Sequence, residues 1–167
     1  LGYLAVADAG VRDRVRKMLL FTASNVSSVV QYGGIGALEG PQDVVEEYRV
    51  ELQARRDLFY AGVGSLGGIF AGKPPSGAFY AFLRFAPDWK TRAGGEGSGL
   101  AGGPGPAVAG SASWELTEYL ISRGRVGCIP GVDFGPGGEG YLRFCFARDR
   151  RELEGALASI RTLFPPK

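Results

Sequence analysis

Histidine is absent from the 167 residues. That absence removes the imidazole that activates most serine and cysteine nucleophiles and that supplies the commonest metal ligand, so hydrolase readings fall sharply. Cysteine is almost as scarce. Cys128 and Cys145 lie in apolar runs with no metal-ligand spacing, so no metal site is expected. They read as reduced core residues, with a bridge between them left open. An excess of either charge is also missing: Lys+Arg 19 against Asp+Glu 17 gives a net charge of +2, interspersed along the chain. Nothing in that balance favours nucleic acid or an anionic membrane. No apolar run approaches the ~20 residues of a membrane helix, and no signal-peptide pattern opens the chain. Leu1 to Val6 is a strand-like run without an initiator methionine, so the chain is expected to begin inside a larger fold.

The stretch with most to say runs from Val126 to Ala147, two short apolar runs around a glycine-rich turn. Read as a strand, its second run places Leu142, Phe144 and Phe146 on one face and Tyr141, Arg143 and Cys145 on the other. The first face is core. A guanidinium among such neighbours must reach water or find an anion, because an unpaired buried charge is very costly. Arg143 is therefore either a structural cation, paired or snorkelling to solvent, or a planar fork for a carboxylate, a task lysine does poorly.

Helical spacing of Val11, Val15, Met18 and Leu19 predicts a helix over residues 8–20. Ser24-Asn25 offers caps to a second helix over residues 26–38, weakened at Gly33, Gly34 and Gly36. Pro41 suits the first turn of a third and longest helix, with Val44, Val45, Tyr48, Leu52 and Phe59 as its apolar stripe. Ile69-Phe70 reads as a short strand, and residues 78–85 as a strand buried on at least one face. Eight glycines between Ala93 and Ser113 mark a flexible insertion. A helix near residues 114–122, the hairpin and a last helix follow, the last opening with an Asp149…Glu152 capping box and lined by Leu153, Ala156, Leu157, Ile160 and Leu163. This order predicts an α+β fold, a small mixed or antiparallel sheet with helices on one face.

Gly135-Pro136-Gly137-Gly138-Glu139-Gly140 matches Gly-x-Gly-x-x-Gly, and Asp133-Phe134-Gly135 spells a kinase-like tripeptide. The dinucleotide motif needs a helix where a strand is predicted here, and kinase chemistry needs a histidine-containing catalytic loop. A hairpin turn is the better reading.

Six ordered motifs together resemble the C-terminal part of the class I/II aminotransferases of fold type I. Leu1-Gly2-Tyr3 is similar to the strand after the family's cofactor-lysine segment, and Thr22 to Gln31 resembles its Ser-Asn-x-x-Ser…Gln segment. Ala37 to Asp57 resembles a long helix ending in Arg-Arg-Asp, and Pro75-Ser76-Gly77-Ala78-Phe79-Tyr80 the motif that opens the small domain. Val126 to Gly135 is similar to Val-x-x-x-Pro-Gly-x-x-Phe-Gly, and Gly140 to Arg143 to the Gly-x-x-Arg of the closing strand.

The resemblance implies residues 1–40 as a remnant of the large cofactor domain and interdomain region, and residues 41–167 as the small C-terminal domain with the insertion at 93–113. It implies pyridoxal phosphate as cofactor of the complete enzyme, amino acid and 2-oxo acid as substrates, and a cytoplasmic or organellar-matrix setting. It further implies a homodimer with Thr22 to Gln31 near the contact, and Arg143 on the substrate's α-carboxylate. Lys17, Lys73, Lys90 and Lys167 match no cofactor-lysine motif, so the chain is expected not to retain the cofactor or to catalyse alone. Two alternatives stand beside this reading: a non-catalytic interaction module built on the fold, and a related pyridoxal-phosphate lyase.

Overall fold

The computed structural model describes residues 1–95 and 110–165. Most of the expected insertion therefore lies outside the described residues. Six helices and four strands run in the order α1 (Ala9–Thr22), α2 (Ser28–Glu39), α3 (Asp43–Gly64), β1 (Phe70–Ala71), β2 (Tyr80–Phe85), α4 (Trp89–Arg92), α5 (Ala112–Gly124), β3 (Ile129–Pro130), β4 (Tyr141–Cys145) and α6 (Arg150–Leu163) among the described residues. The chain divides into two compact units, Leu1–Glu47 and Tyr48–Lys167, with the division inside α3.

In the first unit, Asp8 caps α1 by accepting from the Val11 amide at 2.8 Å. Neither α1 nor α2 buries a residue, so Met18, Leu19, Phe21, Val29 and Tyr32 keep their apolar surface in the open. Three expectations are corrected here. Leu1 to Val6 forms no strand, because an extended segment is held only by a partner's backbone and none of the described residues supplies one. Ser24 does not cap α2: it turns into the left-handed region at φ 56, and Ser27 takes the cap position instead. Pro41 precedes the first turn of α3 instead of entering it.

The second unit is built on an antiparallel sheet of order β1-β2-β4-β3. Alternation along β2 and β4 sends Ala81, Leu83, Phe85, Leu142 and Phe144 to one face. That face is covered by Phe59 and Val63 of α3, Leu116 and Leu120 of α5, and Leu153, Leu157 and Ile160 of α6, with Trp89 and Phe146 filling the margins. Burying side chains of this size at ~25 cal/mol per Å2 of apolar area is the main force holding the unit together. The expected fold, with helices on one face of a small sheet, is the one observed, and the sheet is wholly antiparallel.

Only the C-terminal half of the predicted α3 stripe reaches this core: Val44, Val45 and Tyr48 are exposed, whereas Phe59 is buried. The α3 and α6 helices are also joined at their surfaces, where the Glu51 carboxylate accepts from Arg55 at 2.7 Å and from Arg150 at 3.2 Å. The capping box of α6 is corrected as well. Asp149 accepts from the Arg151 amide, while Glu152 pairs with Arg148 and does not reach back. Cys145 is exposed on the sheet face opposite α3, α5 and α6 and so is not a core residue; Cys128 is half-buried, and both are free.

Candidate functional site

The sheet face opposite the one packed on α3, α5 and α6 carries the candidate site. The pleat that buries Leu142 and Phe144 turns Tyr141, Arg143 and Cys145 outward, and on β2 it turns Tyr80, Phe82 and Arg84 outward. Register sets Arg143 between Phe82 of β2 and Ile129 of β3. The guanidinium carbon of Arg143 lies 4.3 Å from the Tyr80 ring centroid and 4.5 Å from that of Phe134. Phe82 stacks on Tyr141 at 5.1 Å with an interplanar angle of 7° and meets the Phe134 ring edge-on at 6.0 Å.

Two rings within cation–π range of one guanidinium attract it and exclude water beside it, while its N–H groups donate in the guanidinium plane. No hydrogen bond or ion pair to the Arg143 guanidinium is made by the described residues. The arrangement is a planar cationic fork beside two rings, with no hydrogen-bond or ion-pair partner among the described residues, suited to two parallel hydrogen bonds with a carboxylate.

Two devices hold the rings in place. Tyr80 follows the Pro75 to Phe79 segment, where Ala78 takes φ 62 and Arg56 of α3 donates to the Pro75 carbonyl at 3.2 Å. Phe134 sits in the loop between β3 and β4, two 3-10 turns over Gly131–Phe134 and Pro136–Gly138. Gly131 and Gly138 press together so closely that a Cβ on Gly138 would run into the Gly131 carbonyl, and one on Gly131 would stand 2.7 Å from the Tyr141 carbonyl oxygen. A strand follows Gly140, so the Gly-x-Gly-x-x-Gly match has no helix N-terminus to offer a phosphate.

Glu139 closes the loop against α5. Its carboxylate accepts from the Ser111 hydroxyl at 2.7 Å and the Ser113 amide at 3.0 Å, while the Gly140 amide donates to the Ser113 hydroxyl at 3.0 Å. Desolvation works to raise the Glu139 carboxyl. The hydrogen bonds from Ser111, Ser113 and Gly140 outweigh it and leave the group below its ordinary value. Cys128 behaves oppositely: burial pushes its thiol up to about 11 against one weak contact with Thr117, so it is a poor nucleophile.

Sequence reasoning found Arg143 and its outward face. It missed Phe134, which comes from a loop with no periodicity, and it missed Glu139, whose partners lie in another element. Tyr80 carried a usable signal, since alternation through residues 80–85 puts it on the Arg143 side.

Three lysines, Lys17, Lys73 and Lys90, lie among the described residues. The Lys90 ammonium is paired with Glu115 at 2.6 Å and lies over the Trp89 ring, Lys73 stands in the loop before β2, and Lys17 belongs to the first unit. No hydrogen bond, ion pair or ring contact joins Lys73 or Lys90 to Arg143 among the described residues. Among them there is likewise no group of three metal-ligating side chains. None of the described helices is long and apolar enough to cross a membrane.

Comparison with known proteins gives this geometry a context. The profile of the family described as aminotransferase class I and II matches residues 1–160. The probable aspartate aminotransferase of Methanocaldococcus jannaschii is 33% identical over 98% of this chain and 38% of its own length. The aromatic-amino-acid aminotransferase 2 of Thermococcus litoralis is 30% identical over 100% of this chain and 37% of its own. The crystal structure of the aromatic aminotransferase from Pyrococcus horikoshii superposes with a TM-score of 0.74 at 27% identity, covering 95% of this chain and 37% of that one. The chain thus spans little more than a third of the length of the relatives it matches, and its fold is that of their C-terminal part.

Proposed function

The chain belongs to the class I and II aminotransferases, and from that premise we propose that it is the C-terminal portion of a pyridoxal-phosphate enzyme transferring an amino group between an amino acid and a 2-oxo acid. Arg143 is its carboxylate-binding residue. The observation that carries this reading is the guanidinium packed near the rings of Tyr80 and Phe134 with no carboxylate of the described residues bonded to it.

Amino donor and 2-oxo acceptor both carry a carboxylate on the reacting carbon. One fork therefore serves both half-reactions, fixing the substrate so that the bond to be broken points the same way each time. Pyridoxal phosphate, when bound in a complete enzyme, supplies the electron sink for the reacting carbon. In this reading no residue of the chain holds that group, and the chain's own contribution is binding and orientation. In this reading residues 1–40 are a remnant of the large domain, the chain alone is not catalytic, and the complete enzyme is a homodimer with Thr22 to Gln31 near its contact. The relatives' names support transfer over lyase chemistry.

The test is a chimera in which this chain replaces the matching part of the Methanocaldococcus jannaschii relative. It is expected to transfer amino groups, and its Arg143→Lys variant to lose about 100-fold or more in kcat/KM, the scale of removing a charge-assisted fork. A lysine variant as active as its parent contradicts the proposal, as does amino transfer by the isolated chain supplied with cofactor.

A further inference from the structure

We propose that Glu139 is a positioning residue: by tying the loop between β3 and β4 to the start of α5, it keeps the Phe134 ring on the Arg143 guanidinium and so holds the fork in its binding orientation. This rests on the carboxylate-binding reading of Arg143, although the latch itself can be tested without any ligand.

The argument begins with what the loop must do. Phe134 is half exposed and belongs to no strand, so the sheet's ladder does not place it. Its ring nonetheless lies 4.5 Å from the Arg143 guanidinium carbon and 6.0 Å from the Phe82 ring. An exposed ring on a surface loop keeps such a position only if the loop's ends are fixed. One restraint is the Gly131–Gly138 contact, where the two backbones approach without side chains. The other is Glu139.

The carboxylate of Glu139 takes the Ser111 hydroxyl at 2.7 Å and the Ser113 amide at 3.0 Å, and the next residue, Gly140, donates its own amide to the Ser113 hydroxyl at 3.0 Å. Three hydrogen bonds thus join two consecutive loop residues to the first turn of α5. Ser111 is also the cap of that helix, accepting from the Trp114 amide at 3.3 Å. Hydrogen bonds to a carboxylate are stronger than neutral ones and more directional. Fixing residue 139 fixes the end of the turn that carries Phe134, because Gly138 and Gly135 are joined by a short hydrogen bond of 2.9 Å. α5 is anchored in turn by the fully buried Leu116 and Leu120, so the latch refers the loop to the core.

The test follows the Arg143 Nε–H proton resonance in the full chain, assigned with Arg143→Lys. Rings packed close to the guanidinium displace this resonance upfield. Glu139→Ala is expected to shrink the displacement by about half or more, toward its value in Phe134→Ala, as the ring leaves. Glu139→Gln keeps the shape and one accepting oxygen, so it is expected to lie between wild type and Glu139→Ala. Amide protection in β4 is expected to be unchanged in both, which separates a moved ring from an unfolded sheet. A wild-type displacement in Glu139→Ala, with Phe134→Ala clearly shifted, overturns the proposal, and so does a Glu139→Gln variant no closer to wild type than Glu139→Ala. If the latch behaves as expected but 2-oxobutyrate fails to move the Arg143 resonance, the carboxylate reading falls and the latch stands.

Discussion

Arg143 and Tyr80 meet diagonally across the β2–β4 ladder, with the guanidinium carbon 4.3 Å from the Tyr80 ring centroid. The outward face of one strand thereby supplies the ring for a cation on the next, a contact that pleating and register bring within reach. Tyr80→Ala is expected to leave the sheet folded and to weaken carboxylate binding by about 2- to 30-fold, the range of a cation–π contact worth about 0.5 to 2 kcal/mol. Carboxylate titration of the two proteins checks it; unchanged affinity would mean that the ring only fills space.

Glu51 gives a pH prediction. Hydrogen bonds from Arg150 and then Arg55 hold its carboxyl down from 4.5 to about 2. The folded-state value is depressed, so the stabilisation is present above pH 4.5 and is lost as pH falls toward 2. Thermal melts from pH 6 downward are expected to show Tm dropping in that window. The Glu51→Gln variant should be less stable than wild type at neutral pH and show a shallower drop. An identical pH dependence in the two proteins would remove Glu51 from the account.

Ala78 holds φ 62, a conformation that costs an L-residue roughly 1 to 2 kcal/mol. Ala78→Gly relieves that strain and gives back part of the gain as chain entropy, so a net stabilisation of about 0.5 to 1 kcal/mol is expected from denaturant unfolding. A destabilised glycine variant would show that the alanine methyl group contributes more through packing than its backbone strain costs.

At Gly138 a methyl group would strike the Gly131 carbonyl, which is backbone and cannot step aside. Gly138→Ala is expected to cost about 1 to 3 kcal/mol, the range for overfilling a tight contact. It should also loosen Phe134 from Arg143, visible as a loss of upfield displacement at the Arg143 Nε–H resonance. Wild-type stability together with a wild-type resonance would contradict the close approach.

The second unit was largely legible in the sequence because its signals are local. Alternation in residues 80–85 and 141–145 is a backbone property and correctly separated Leu142 and Phe144 from Arg143. The spacing of Leu153, Leu157 and Ile160 likewise marked the buried face of α6. What failed depended on partners distant in sequence. The run from Leu1 to Val6 has strand composition but no strand beside it among the described residues, and Cys145, apolar by its neighbours, faces outward with Arg143. The α4 helix, four residues long, was too short to show a period. Within the site, Arg143 was conspicuous as a cation inside an apolar run, whereas Glu139 looked like one more polar residue of a glycine-rich turn. Its meaning lies in Ser111 and Ser113, which no local pattern connects to it.

The most direct test of the central claim is to titrate the full chain and its Arg143→Lys variant with 2-oxoglutarate while following the β4 amides. Carboxylate binding at Arg143 predicts a saturable shift centred on Arg143, Tyr80 and Phe134 in the wild type. It predicts affinity lower by about tenfold or more in the lysine variant, equivalent to about 1.4 kcal/mol, because a point charge replaces a planar fork. Equal affinity in the two proteins, or a shift centred elsewhere, would contradict it.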